Sequence, residues 1–145
     1  MAKQPMYLLD TNIVSELRKK SKMDPGVRAF FKQAAQESRE LYLSVITIGE
    51  LRRGIELIRH RGDHSQADLL EAWLSTLLED YELNILPFDH EVAQVWGKLR
   101  APRHENALDK QIAATALIYD LAVVTRNEKD FADTGVKLLN PFRGH

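Results

Sequence analysis

Short apolar runs alternate along the chain with longer segments in which apolar residues return every three or four positions. The runs YLL (Tyr7 to Leu9), LYLSV (Leu41 to Val45), NILPF (Asn84 to Phe88) and LAVVT (Leu121 to Thr125) predict strands, with VKLL (Val136 to Leu139) a candidate edge strand. NIVSELRKK (Asn12 to Lys20), TIGELRRGIELIRH (Thr47 to His60) and LDKQIAATALIYD (Leu108 to Asp120) predict helices. DPGVRAFFKQAAQE is a further helix with Asp24 as cap and Pro25 at its first position, and DHEVAQVWGKLRA is another, capped by Asp89. SQADLLEAWLSTLLEDY places Leu69, Leu70, Trp73, Leu74, Leu77 and Leu78 on one expected buried face. Strands alternating with helices predict an α/β fold: a mostly parallel central sheet flanked by helices.

Composition bounds this picture. The 145 residues are expected to form a single domain, long enough to hide roughly 70% of the unfolded surface. The absence of cysteine excludes disulfides, thiolate metal sites and a cysteine nucleophile, and fits a reducing, cytoplasmic setting. No apolar run reaches the roughly 18 residues of a membrane span, and MAKQPMYLLD lacks the apolar core of a signal peptide. A formal net charge of -1 gives no bulk attraction to nucleic acid, so a polyanionic partner would have to meet local basic patches.

The acids stand out once they are placed on these elements. Ligands of open parallel sheets bind outside the carboxyl ends of the strands. Asp10 ends the first strand, Glu50 lies early in the helix after the second, and Asp130 lies in the loop TRNEKDF after the fourth. Asp109 opens the alanine-rich helix leading into the fourth strand, and local order alone leaves its edge open. If that helix starts beside the same edge, four carboxylates converge, and such a cluster needs cations or raised pKa values. Each acid also has a plain structural reading. Asp10 suits an N-cap, Glu50 completes a Thr-x-x-Glu capping box with Thr47, Asp109 suits a first helical turn, and Asp130 could close a turn with Asn127.

Four blocks, LLDTNIVSEL, SVITIGELRRGI, DKQIAATALIYDLAVVTRNEKDF and the closing NPF, resemble in order and spacing the PIN-domain nucleases, most closely the VapC-type toxins of toxin-antitoxin modules. The resemblance spans nearly the whole chain and implies a single PIN-like domain. It implies a site for Mg²⁺ or Mn²⁺ formed by Asp10, Glu50, Asp109 and Asp130, with Asn12 and Thr125 beside it. The family often has an acid where this chain has Asn127, which leaves a second metal position open. The resemblance further implies endoribonuclease activity that arrests growth, a homodimer, and a small antitoxin that blocks the site.

The chemistry of the residues agrees. Phosphodiester hydrolysis needs an activated water and a neutralised leaving oxygen, which a magnesium ion on a few carboxylates can serve. Because Mg²⁺ keeps several waters, Asp10 and Asp109 are expected as direct ligands, with Glu50 and Asp130 orienting waters or holding a second ion. His60, His64, His90, His104 and His145 are expected to be solvated. Arg18 to Lys22, Arg52 with Arg53, Arg59 to Arg61, and Arg100 with Arg103 are candidate contacts for an RNA backbone or plain solvated faces. Trp73 and Trp96 fit core or subunit contacts. Two rivals stand beside this reading. A haloacid-dehalogenase-like phosphatase also starts from a strand-end Asp, but its second Asp is replaced by Asn12. A catalytically silent interaction module would keep the fold without the reaction.

Overall fold

The computed structural model describes residues 6–143. Within them, β1 (Tyr7–Leu9), β2 (Leu41–Ser44), β3 (Ile85–Leu86), β4 (Ala122–Val124) and β5 (Leu138–Leu139) form one sheet in the order β3-β2-β1-β4-β5. Every neighbouring pair is parallel, with Tyr7 opposite both Leu41 and Ala122, Leu43 opposite Ile85 and Val123 opposite Leu138. The helices are α1 (Thr11–Glu16), α2 (Pro25–Gln36), α3 (Val45–His60), α4 (His64–Asp80), α5 (His90–Arg100) and α6 (Ala107–Tyr119). All strands point the same way, so their carboxyl ends share one edge, and the central β1 delivers Asp10 to its middle.

Side chains alternate across a strand, and here successive residues supply two cores. Leu9 and Val124 face one layer with Ile13, Val14, Leu43 and Leu74, under α1 to α4. Leu8 and Val123 face the other, with Ile112, Ala113 and Ala116 of α6. Small side chains let α6 lie close to the sheet, and its direction matters for the site. Because α6 runs into β4 at that strand's amino end, its own start lies near the sheet's carboxyl edge. Asp109 is thereby brought to the edge that Asp10 occupies.

Three expectations change. The segment read as one helix over Asn12 to Lys20 breaks after Glu16 into a 3₁₀ stretch, Leu17–Lys22, in which Lys20 takes φ 53° and ψ -116°. Glu16 drives the break: its buried carboxylate accepts from Asp24 N at 2.9 Å and pairs with Lys19, folding the chain back toward α2. The Thr-x-x-Glu box does not form. Ser44 caps α3 instead, accepting from Ile46 N at 3.0 Å, so Thr47 lies inside the helix and Glu50 is too far along to reach the cap. On α4, Leu69 is 68% exposed rather than buried, while Leu74 and Leu77 face the core with Ala67.

Other expectations hold. Asp24 and Asp89 cap α2 and α5. His60, His64, His90 and His104 are exposed, and His145 lies outside the described residues. Trp73 packs on the core, while Trp96 donates Nε1–H to Ala107 O at 3.1 Å and meets Phe88 edge-on. No helix of the described residues is long and apolar enough to cross a membrane.

Candidate active site

Asp10, a candidate site residue, is also the cap of α1. It is 3% exposed, and its Oδ1 accepts from Thr11 N at 2.8 Å. Its Oδ2 accepts from Thr125 Oγ1 at 2.8 Å and from Asn12 Nδ2 at 3.2 Å. These donors are neutral, so they orient the carboxylate without cancelling its charge. Burial raises its pKa above the ordinary range; the bonds from Thr125, Thr11 and Asn12 pull against that, and the charge of Asp130 adds to it.

The neighbouring strand end contributes Glu50. Six residues beyond the Ser44 cap, it reaches across to α1, where Thr11 Oγ1 donates to its Oε1 at 2.7 Å. The same hydroxyl stands 3.2 Å from Thr47 Oγ1 of α3. Thr11 therefore joins the two acid-bearing segments: its N–H serves Asp10 and its hydroxyl serves Glu50. Burial pushes the Glu50 pKa up more than this bond lowers it, and the charge of Asp10 adds to the rise.

Asp109 closes the cluster from α6. A first-turn carboxylate is ordinarily favoured in its charged form by the helix N-terminus. Here the opposite holds. Asp109 is pushed up to about 7, by burial first, then by the charges of Asp10, Asp130 and Glu50, and by a hydrogen bond with Asp130. Asp109 thus lies near enough to the other three acids for their charges to add to its rise. Among the described residues, no lysine, arginine or histidine forms an ion pair with any of the four.

The supporting residues lock the loop after β4. Asn12 donates to Asp10 and accepts from Arg126 N at 3.1 Å, bridging the ends of β1 and β4. Thr125 is fully buried and accepts from Asn127 N at 3.0 Å. Asp130 N donates to Asn127 O at 3.1 Å, so the turn expected between these residues does form, through the backbone, leaving the Asp130 carboxylate to face Asp109. Thr11 has no assigned role in the sequence reading, and Thr47 has only that of a cap. The available signal was a hydroxyl directly after a strand-end aspartate.

The four acids do not close into a ready-made cage: among the described residues, no three His, Cys, Asp or Glu side chains group tightly enough to hold an ion by themselves. The donor chemistry nonetheless fits a hard divalent ion such as Mg²⁺, which binds through one or two carboxylates and keeps several waters. Such an ion would also relieve the repulsion that, after burial, adds to the raised pKa of Asp109.

Several of the basic residues read from the sequence are paired with acids. Arg52 and Arg59 pair with Glu56 and Glu71, Arg59 also with Asp68, and Arg103 pairs with Asp133. Arg100 lies over Trp96 at 5.0 Å and donates to His104 O. Arg18 lines a groove of about 160 Å³ between α1, α3 and α4, with Thr11, Ser15 and Glu50 at its polar end and Leu51, Ile55, Ile58, Leu70 and Trp73 along its apolar part.

The family model for the PIN domain matches residues 7–137. The chain is 34% identical to Toxin FitB of Neisseria gonorrhoeae, over 94% of this chain and 99% of that protein. It is 32% identical to VapC ribonuclease Y4jK of Sinorhizobium fredii, over 94% and 98%. The crystal structure of FitAcB from Neisseria gonorrhoeae matches with a TM-score of 0.81 at 33% identity, covering 94% of this chain and 98% of that one. The matched span holds all five parallel-sheet positions but the last strand and all four converging acids, and on this ground the chain belongs to the PIN domain family.

Proposed function

We propose that the protein is an Mg²⁺- or Mn²⁺-dependent endoribonuclease acting as the toxin of a toxin-antitoxin module. The observation that carries this reading is the cluster of four carboxylates with no cation of the protein among them, one of them pushed up to about 7. Such a cluster opposes folding unless something positive completes it. The names of two relatives, a toxin and a VapC ribonuclease, supply the substrate class and the cellular role.

A bound divalent ion supplies Lewis acidity toward a phosphodiester and its attacking water. The residues of the chain hold and aim it. Asp10, immobilised by three donors, and Asp109 would hold it directly; Glu50, fixed through Thr11, and Asp130 would orient its waters. Asn127 offers a neutral carbonyl where a carboxylate would add charge, so Asp130 carries that side of the site. Asn12 and Thr125 keep Asp10 and the loop after β4 in register.

As a toxin, the chain requires a cognate antitoxin, and the groove beside Glu50 fits one. A segment with apolar side chains along Leu51, Ile55 and Trp73, and a cation entering toward Glu50, would cover the pocket and compensate its charge. A homodimer and a cytoplasmic location complete the reading. Asn12 weighs against a haloacid-dehalogenase-like phosphatase, because its amide is committed to Asp10 and Arg126.

The test is an assay of purified protein on single-stranded RNA and on a phosphomonoester, with Mg²⁺ or with chelator. RNA cleavage that needs the metal and is lost in Asp10→Asn is the expected result. Phosphomonoester hydrolysis would favour the phosphatase, and inertness toward both substrates would leave a silent interaction module.

A further inference from the structure

We propose that Arg126 is an RNA-binding residue that holds a phosphate flanking the scissile one, and that Phe142 of the closing NPF presents it. This rests on the nuclease reading above and names a substrate contact that the acid cluster does not supply. The acids can bind RNA only through an intervening cation, so a strand entering the pocket needs a fixed positive group nearby. Several of the arginines conspicuous in the sequence are engaged by acids, Arg52 and Arg59 by Glu56 and Glu71, and Arg103 by Asp133. Arg126 makes no such pair among the described residues.

Its backbone is held from two sides. Arg126 N donates to Asn12 Oδ1 at 3.1 Å, and its carbonyl accepts from Asn140 Nδ2 at 3.4 Å. Asn12 in turn donates to Asp10 and Thr125 to the same carboxylate, so the residue is registered against the centre of the site. Its guanidinium lies over the Phe142 ring, 4.8 Å from the centroid, and makes no ion pair or hydrogen bond among the described residues. Arg126 is exposed and directly follows Thr125, whose hydroxyl donates to Asp10. A planar fork with its orientation set by an aromatic face is suited to a phosphate, because little rotamer freedom remains to be lost on binding.

The platform itself is built in. Phe142 is 5% exposed and belongs to the core under α1 to α4. Phe142 N donates to Asn140 Oδ1 at 3.0 Å, and Arg143 N donates to Asp24 Oδ2 at 3.2 Å. Gly26 permits this docking, since a Cβ there would lie 1.9 Å from Pro141 O. The Asp24 carboxylate is held below its ordinary range: partial burial acts the other way, but backbone N–H donors from Val27, Arg143 and Gly26, and the charge of Arg126, outweigh it. The closing segment is thus fastened at α2 and stacks under Arg126.

The experiment measures the salt dependence of binding for a fluorescent single-stranded RNA, in Ca²⁺, whose looser geometry suits binding better than catalysis, and cleavage of the same RNA in Mg²⁺. Wild type is compared with Arg126→Gln, Arg126→Lys and Arg59→Gln, the last removing a charge remote from the pocket. Arg126→Gln is expected to weaken binding by about tenfold and to lower the slope of log affinity against log salt by about 0.7, the share of one single-strand phosphate contact. Its loss in cleavage should appear in KM rather than kcat. Arg126→Lys should keep the slope, and Arg59→Gln should keep both slope and affinity. A wild-type slope in Arg126→Gln, or a loss confined to kcat and thermal stability, would overturn the proposal and leave Arg126 a structural cover for Phe142. RNA bound but uncut by wild type would fail the nuclease reading alone, with Arg126 still judged by its slope; RNA unbound by wild type would fail both.

Discussion

Two groups of acids sit within one fold and meet opposite fates. On the outer faces of α3 and α4, Glu56, Asp68 and Glu71 are threaded by Arg52 and Arg59 at 2.6 to 3.3 Å. Arg59 first holds the Glu56 carboxyl below its ordinary range, and Arg52 first does so for Glu71. At the sheet's carboxyl edge, Asp10, Glu50 and Asp109 shift the other way, each by burial first, with the charge of Asp130 adding to the rise of Asp10, that of Asp10 to the rise of Glu50, and those of Asp10, Asp130 and Glu50 to the rise of Asp109. The helical acids are solvated and compensated, and contribute little beyond joining two helices. The edge acids are half-buried or buried and uncompensated, an arrangement that stability alone would not maintain. A chain able to pair acids with arginines in one place leaves them bare at the sheet's edge, where the proposed cation would bind.

Substitutions that remove charge from each group separate them. The largest effect is expected at Asp10, where Asp10→Asn should abolish the rise in Tm produced by millimolar Mg²⁺ and reduce RNA cleavage by about 10³-fold or more. An unchanged metal response in differential scanning fluorimetry would remove Asp10 from the ligand set. Next comes Glu50→Gln, which keeps an acceptor for Thr11 Oγ1 but not the charge. It should fold with a near wild-type Tm and lose at least about 10²-fold in cleavage rate. Activity within a small factor of wild type would reduce Glu50 to a structural tie between α3 and α1.

Asp130→Asn is milder. The metal concentration for half-maximal cleavage should rise roughly tenfold, equivalent to about 1.4 kcal/mol, and Asn127→Asp should lower it. An unmoved midpoint would make Asp130 a turn residue only.

A smaller effect concerns pH in the absence of metal. A carboxyl whose folded pKa is raised binds more protons folded than unfolded between the two values, so its contribution is present at low pH and lost as pH rises through the folded value. For Asp109 that window runs from the ordinary 3.8 to about 7. Metal-free protein should therefore lose Tm between pH 5 and pH 8, and Asp109→Asn should flatten the decline. The carboxyls held low, Glu16, Asp24, Glu56 and Glu71 among them, lose their contributions only as pH falls below the ordinary carboxylate range, outside this window. A Tm that climbs from pH 5 to pH 8 would contradict the convergence of the acids. The smallest effect is expected in the helical network. Glu71→Gln should lower Tm slightly at low salt and hardly at all at high salt, with the metal response untouched.

Much of this contrast could be read before the structure, for identifiable reasons. Strand positions followed from apolar runs, and the parallel order alone placed Asp10, Glu50 and Asp130 at one edge. Asp109 could not be placed that way, because its position depends on how closely the small residues Ala113 and Ala116 let α6 lie on the sheet. Glu50 was ambiguous because Thr47 to Glu50 mimics a capping box, whereas Ser44, three positions before Thr47, takes the cap. Thr11 was passed over since nothing local to it reveals that its hydroxyl spans to Glu50, 39 residues away. The basic patches misled for a related reason: whether an arginine is free depends on acids from other helices, as Arg59 with Asp68 and Glu71 shows. Long-range pairing of polar side chains carries no periodic signature.

The central claim is that the edge acids form one cluster awaiting a divalent ion, and the most direct test counts protons. Mn²⁺ is titrated into the protein calorimetrically at pH 6.5 in two buffers of different ionisation heat. With Asp109 near 7 in the free protein, ion binding should expel most of one proton per ion bound, and Asp109→Asn should bind without that release. Binding of the ion with no proton released by wild type, or no saturable binding at all, would contradict the account.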